Sequence, residues 1–230
     1  VKHVIISETD RLLSDAVSEK LPNLTFTPAK AGGKTINFWV NLPFRFKLTG
    51  ESLAEIENAI DLVTDSLTGD GENYHLWYRR ALLHMRKGAW TDAISDFNES
   101  LVYNPRKNKK KNSTSYRYLF LTKYYRASVY NQQEELPKAI QDFTDALEFA
   151  SEMKAVDSTV EKVIPRIYLE RGYLHSLDSN LVAAKTDLNW VTENDEENRC
   201  TAFHLLADIA LVEENKEDLV TTSTGMLECN

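Results

Sequence analysis

The sequence predicts a mainly α-helical solenoid of stacked helix pairs over residues 50–230, preceded over residues 1–49 by a small α+β module of two strands and one helix. Three observations predict this. The decapeptides NAIDLVTDSL (58–67), DAISDFNESL (92–101) and KAIQDFTDAL (138–147) superimpose as internal repeats. Each places a small residue, a large one four later and a small one three after that on a single helical face. Upstream of them, Ile36, Phe38, Val40 and Leu42 alternate with polar or small residues, the period of a half-buried strand.

Taken in order, the superposition pairs Ala59 with Ala93 and Ala139, Val63 with Phe97 and Phe143, and Ser66 with Ser100 and Ala146. Small positions let two helices approach, and the large one fills the space between them. Ala59 and Ala93 are 34 residues apart. Around that interval stand Trp77, Ala81, His84, Ala93, Phe97, Ser100 and Pro105, a pattern that resembles the tetratricopeptide repeat (TPR) family. Ala127, Tyr130, Ala139, Phe143 and Ala146 repeat the register, as do Tyr168, Gly172, His175, Ala184, Leu188 and Val191, with Trp190 just inside the last helix. A degenerate fourth unit follows around Ala207 and Leu219. The resemblance covers about residues 52–230. Intervals of 46 and 45 residues separate Ala93, Ala139 and Ala184, so the sequence predicts insertions or longer helices at 106–115 and 151–163. Helix punctuation agrees. Ser52 and Glu55 form a capping-box pattern, Pro137 suits a first turn, and Pro105 closes a second helix.

The first fifty residues read as strand (VKHVIIS), helix (TDRLLSDAVSEKL, with Leu12, Leu13, Ala16, Val17 and Leu21 on one face), a Pro-bounded turn (LPNLTFTPAKAGGK) and a long strand ending in PFRFKL. The helix ending in Leu21-Pro22, the Phe26-Thr27-Pro28-Ala29 turn, Gly33-Lys34 and the strand INFWVNLPFRFKL resemble the C-terminal domain of the TonB family over residues 1–48. That resemblance implies a Gram-negative, periplasmic setting and outer-membrane or envelope proteins as partners. It also implies that the edge carrying Phe38, Val40, Arg45 and Lys47 accepts an extended peptide by strand addition. The family's first strand has no counterpart before Val1, where the chain opens inside a predicted strand and reads as part of something longer.

Composition narrows the function classes. The formal charge of −8 is uneven: residues 1–50 carry seven Lys/Arg against Glu8, Asp10, Asp15 and Glu19, a net of +3, which leaves −11 for the other 180 residues. An acidic array argues against nucleic acid as a partner. No apolar run is long enough to cross a bilayer, so this stretch of chain is not expected to span one. Cys200 and Cys229 lack metal-ligand spacing, and the sequence leaves their pairing open. No nucleophile elbow, phosphate loop or HExxH is present, and the acidic residues are expected on solvent faces, so neither enzymatic activity nor a cofactor is expected. His84 and His175 hold the same repeat position in separate seams, which favours packing over a shared metal. The RKNKKK run reads as a solvated loop.

The candidate binding surface follows from the TPR resemblance, which implies that the first helix of each pair lines a groove. The residues it places there are His75, Tyr78, Arg79, Leu82, Met85 and Arg86, then Leu121, Tyr124, Ser128 and Asn131, then Arg166, Leu169, Tyr173 and Ser176. Tyrosine and arginine suit a protein or peptide ligand because they combine contact area with polar handles. A chaperone-tail clamp is excluded, since Leu82 stands where an amide is needed beside Arg80. The leading expectation is thus a protein-binding scaffold of the cell envelope. A TonB-type energy-transduction component and a cytoplasmic regulatory TPR subunit are its alternatives.

Overall fold

The computed structural model describes residues 52–104, 113–153 and 158–227, together with the backbone of Lys30–Ala31 and Lys34–Thr35. The chain divides into two compact units, Val1–Gly50 and Glu51–Asn230. Within the first, β1 (Lys30–Ala31) pairs antiparallel with β2 (Lys34–Thr35), Lys30 opposite Thr35 and Ala31 opposite Lys34. The sequence places Lys30, Ala31 and Lys34 in a turn and Thr35 at the start of the long strand. A Gly-Gly pair between two short strands is a strong signal for a tight hairpin and accounts for the difference. The strand VKHVIIS, the helix TDRLLSDAVSEKL and the edge at Phe38, Val40, Arg45 and Lys47 lie outside the described residues.

Among the described residues the second unit holds nine helices: α1 (Leu53–Gly69), α2 (Tyr74–Lys87), α3 (Trp90–Tyr103), α4 (Ser113–Gln132), α5 (Leu136–Glu152), α6 (Ser158–Leu177), α7 (Leu181–Asn194), α8 (Arg199–Val212) and α9 (Lys216–Leu227). They pair as α2/α3, α4/α5, α6/α7 and α8/α9, and each pair packs on the next. First helices of successive pairs touch one another (α2 with α4, α4 with α6, α6 with α8), whereas successive second helices do not. This puts α2, α4, α6 and α8 on the inner side of the stack.

The predicted punctuation is present. Ser52 Oγ accepts from the Glu55 amide at 3.2 Å while the Ser52 amide donates to Glu55 Oε2 at 2.6 Å, closing the capping box of α1. Pro137 lies in the first turn of α5. α3 stops at Tyr103, and Asn104, the residue before Pro105, is extended. The longer repeats are built by longer helices: α4 and α6 have 20 residues each where α2 has 14. Pro165 stays inside α6. Asn104 and Ser115, both buried, clasp the ends of the 105–112 insertion, with Ser115 Oγ donating to Asn104 Oδ1 and Asn104 Nδ2 to the Ser115 carbonyl.

Packing follows the repeat. Ala93, Ala139 and Ala184 are 0% exposed, as are Phe97, Phe143 and Leu188. Gly172 lets α6 approach α7: a Cβ there would stand 3.0 Å from Leu188. Gly225 does the same for α9, because the Phe203 ring occupies the place of its missing side chain.

One feature overturns the expectation that the acidic residues face solvent. Asp96, Asp142 and Asp187, each one residue before the large core residue, are 3% exposed. Each accepts a bidentate fork from the arginine 16 residues earlier: Arg80 at 2.7 and 2.8 Å, Arg126 at 2.6 and 2.7 Å, and Arg171 at 2.8 and 2.7 Å. The third nitrogen, Nη1, reaches back to the helix that precedes the pair, α1, α3 or α5, donating to Thr64, Asn98 and Thr144 respectively. Every guanidinium also lies over a ring of its own helix, at Trp77, Tyr130 or Tyr168. The ladder stops there, since Leu206 and Thr222 hold these positions in α8/α9.

A second recurrence is conformational. A residue one or two positions past the end of each first helix has positive φ: Gly88 (80°) directly after α2, and Glu134 (60°), Ser179 (59°) and Glu214 (55°) two positions after α4, α6 and α8.

Two outcomes are expected. Asp187→Ala leaves Arg171 buried without its partner and lowers unfolding free energy by about 3 kcal/mol, read by urea denaturation, whereas exchanging Arg171 and Asp187 together for apolar residues of similar volume costs far less. Glu134→Gly, Ser179→Gly and Glu214→Gly each raise stability by about 1 kcal/mol in the same assay, and Gly88→Ala lowers it by a similar amount.

Candidate functional site

The longer α4 shapes the inner wall. Its added turns carry Tyr118 across to the start of α2, where its ring meets His75 at 4.1 Å, Tyr78 at 5.2 Å and Tyr74 at 5.7 Å, each edge to face. The series continues from Tyr78 to Tyr125 at 6.2 Å and from Tyr125 to Tyr124 at 5.0 Å. Aromatic rings therefore run without a break from α2 to α4. At the far end, on α6, Arg166 pairs with Glu170 at 2.8 Å and Tyr173 is 43% exposed.

The structure divides the sequence-predicted groove residues into groups. His75 and Tyr78 join the aromatic series. Arg79, Leu82 and Arg86 instead line a cleft between α1 and α2. Met85 packs, half-buried, in the α2/α3 core. Leu121 and Tyr124 are buried, each 6% exposed, in the central core with Phe143, and Leu169 packs on the cluster of α7 and α8. Ser128 Oγ donates to the Tyr124 carbonyl and Ser176 Oγ to the Tyr173 carbonyl. Asn131 is half-buried at the end of α4, and Arg166 and Tyr173 are exposed. Tyr118 and Tyr125 were not in the sequence reading. Tyr118 sits in the part of α4 that the 34-residue period does not contain, and its only sequence signal is the aromatic run Tyr116-Arg117-Tyr118 beside the insertion.

Electrostatics follow burial. Burial drives the Tyr78 phenol well above its ordinary pKa, with Tyr125 and Tyr118 adding to the rise and Arg117 opposing it. Tyr124 is pushed up to about 12, chiefly by burial and then by Glu170, with Arg166 opposing. Both phenols therefore stay protonated and neutral. Hydrogen bonding to Asp96 raises the Arg80 guanidinium further, and its engagement there leaves it unfit for a terminal carboxylate. His84 Nε2 lies 3.6 Å from Asp96 Oδ2, and the Nδ1 atoms of His84 and His175 are buried without a hydrogen bond. Burial lowers the pKa of His175, with Asp187 opposing, and burial lowers that of His75. Among the described residues no group of three His, Cys, Asp or Glu side chains is placed to hold a metal, and no helix is long and apolar enough to cross a membrane. Cys200 is disulfide-bonded, and Cys229 lies outside the described residues.

No family model matches the chain, and no curated protein matches it. Solved structures do. A crystal structure of MamA is 14% identical over 82% of this chain and 96% of its own, with a TM-score of 0.58. YrrB, described as a TPR protein with an unusual peptide-binding site, is 16% identical over 77% of this chain and 79% of its own, at 0.59. BtubC (BKLC) from P. vanneervenii is 13% identical over 76% and 73%, at 0.60. At these identities the likeness is one of fold, and with the repeat geometry it defines the described helices α1–α9 as a TPR-type helical solenoid.

The depressed histidine has a consequence for stability. Because the folded state disfavours the proton, the unfolded chain takes it up first as pH falls from about 6.5. The neutral form's contribution is thus intact above that pH and is lost as pH falls through the lower, folded value. His175→Gln should lose less stability than the unaltered chain between pH 8 and pH 5 in parallel urea titrations.

Proposed function

We propose that this protein is a non-enzymatic scaffold whose inner wall holds a segment of another protein or peptide. The observation that carries this is the unbroken aromatic series from Tyr74 and His75 through Tyr118, Tyr78 and Tyr125, continued on α6 by Arg166 and Tyr173. Rigid rings with polar tips are favoured where a ligand must be gripped at low entropic cost. YrrB's described peptide-binding site supports the same use of the fold. The scaffold works at the Gram-negative envelope, with envelope or outer-membrane proteins as partners. Support comes from the resemblance of residues 1–48 to TonB C-terminal domains and from the disulfide at Cys200, a bond favoured in oxidising compartments.

The test is a peptide-array screen on the full chain, followed by titration of the captured peptides. Tyr118→Ala and Tyr173→Ala should each weaken the captured peptides at least about tenfold. Tyr124→Ala is unsuitable, because deleting that buried ring costs about 3 kcal/mol of stability. Unaltered binding by both variants would remove the inner wall as the site.

A further inference from the structure

The aromatic wall has a polar side that its own packing does not use. Tyr74, Tyr78, Tyr118 and Tyr125 are each half-buried, and their rings lean on one another across α2 and α4. Among the described residues none of their hydroxyls makes a hydrogen bond within the protein, and none is sealed from solvent. The phenols nevertheless gather together: Tyr118 and Tyr125 both act on that of Tyr78, and Tyr118 on that of Tyr74. Four hydroxyl donors thus line one stretch of the wall unused. Charge is scarcer there. Arg166, at the far end of the series, is already engaged by Glu170, and burial disfavours a proton on His75.

These features select among ligand backbones. An α-helix spends its carbonyls on its own amides. A β-strand needs a sheet edge, and α1–α9 are all helices. A polyproline II segment keeps its carbonyls free of internal bonds, while prolyl residues add ring faces and remove the amide donor. The repeat fits as well. Tyr118 and Tyr125 stand seven residues apart on α4, about 10.5 Å along its axis, and one turn of polyproline II advances about 9 Å. Tyr78, on α2, lies between them, 5.2 Å from the first ring and 6.2 Å from the second.

We infer that the inner wall takes a proline-rich segment of a partner protein in the polyproline II conformation. Prolines three residues apart seat at Tyr118 and Tyr125, and the segment's backbone carbonyls accept from the phenols. This rests on the reading of the wall as the binding site and adds the chemistry of its ligand.

The probe is a fluorescein-labelled peptide of Pro-Pro-Ala repeats, about 12 residues long, titrated by fluorescence anisotropy against the full chain. Its counterpart of equal length carries Ala at every proline and should bind at least about tenfold more weakly, because it must be ordered on binding. Tyr118→Phe and Tyr125→Phe keep the rings and remove only the donors. Each should weaken the proline peptide roughly fivefold, with an unaltered thermal transition to show that the fold is intact. Three results would overturn the inference: no binding of the proline peptide at about millimolar concentration, equal affinity for the proline and alanine peptides, or affinity indifferent to both Phe variants. Failure of the wall itself reads differently, as array-captured peptides that ignore Tyr118→Ala and Tyr173→Ala. Captured peptides that lose affinity with Tyr118→Ala, yet keep it when their prolines are exchanged for alanine, would retain the wall and overturn the proline-rich ligand.

Discussion

The buried arginine–aspartate fork is the contact on which the described array depends. A helix pair cannot bury one face alone, and apolar packing by itself leaves the pair free to rotate or slide against its neighbours. The fork removes that freedom. Two nitrogens of each arginine fix the first helix to its own second helix, and the third fixes it to the helix before. Three successive pairs are set in register by one side chain apiece. A buried charge pair adds little net stability over apolar substitutes, so its contribution here lies in specifying geometry.

Much of this architecture was legible in the sequence. The small–large–small pattern identified Ala93, Ala139 and Ala184 as crossing points, and all three are sealed. Ser52, Glu55 and Pro137 marked helix starts where helices start. The fork was not read, although Arg80, Arg126 and Arg171 and their aspartates recur at a fixed spacing of 16. Charged residues are seldom buried, so a charge inside an amphipathic pattern is read as solvent-facing by default. The positive φ at Glu134, Ser179 and Glu214 was equally hidden, because none of these residues announces a left-handed turn as Gly88 does.

The candidate wall was only partly legible, for a geometric reason. A helical period assigns residues to a face but does not say how long neighbouring helices are. α4 outruns α2, so Tyr118 comes to cover His75 and Tyr78, while Tyr124 is drawn inward against Phe143. Leu121 and Tyr124 fall on the predicted face and yet are buried. Tyr118's place in the aromatic series is thus a product of the lengthening of α4.

The end of the ladder has its own consequence. With Leu206 and Thr222 in place of the charged pair, α8 and α9 rest on apolar contacts, on the close approach of Gly225 to Phe203, and on the half-exposed clasp of Lys185 with Glu213. In a one-dimensional stack each member is held by its nearest interfaces, so α8 and α9, which lack the fork, are expected to open at a lower free energy than the pairs that have it. The solenoid is therefore graded along its length, rigid where the forks interlock and compliant at its carboxyl-terminal end.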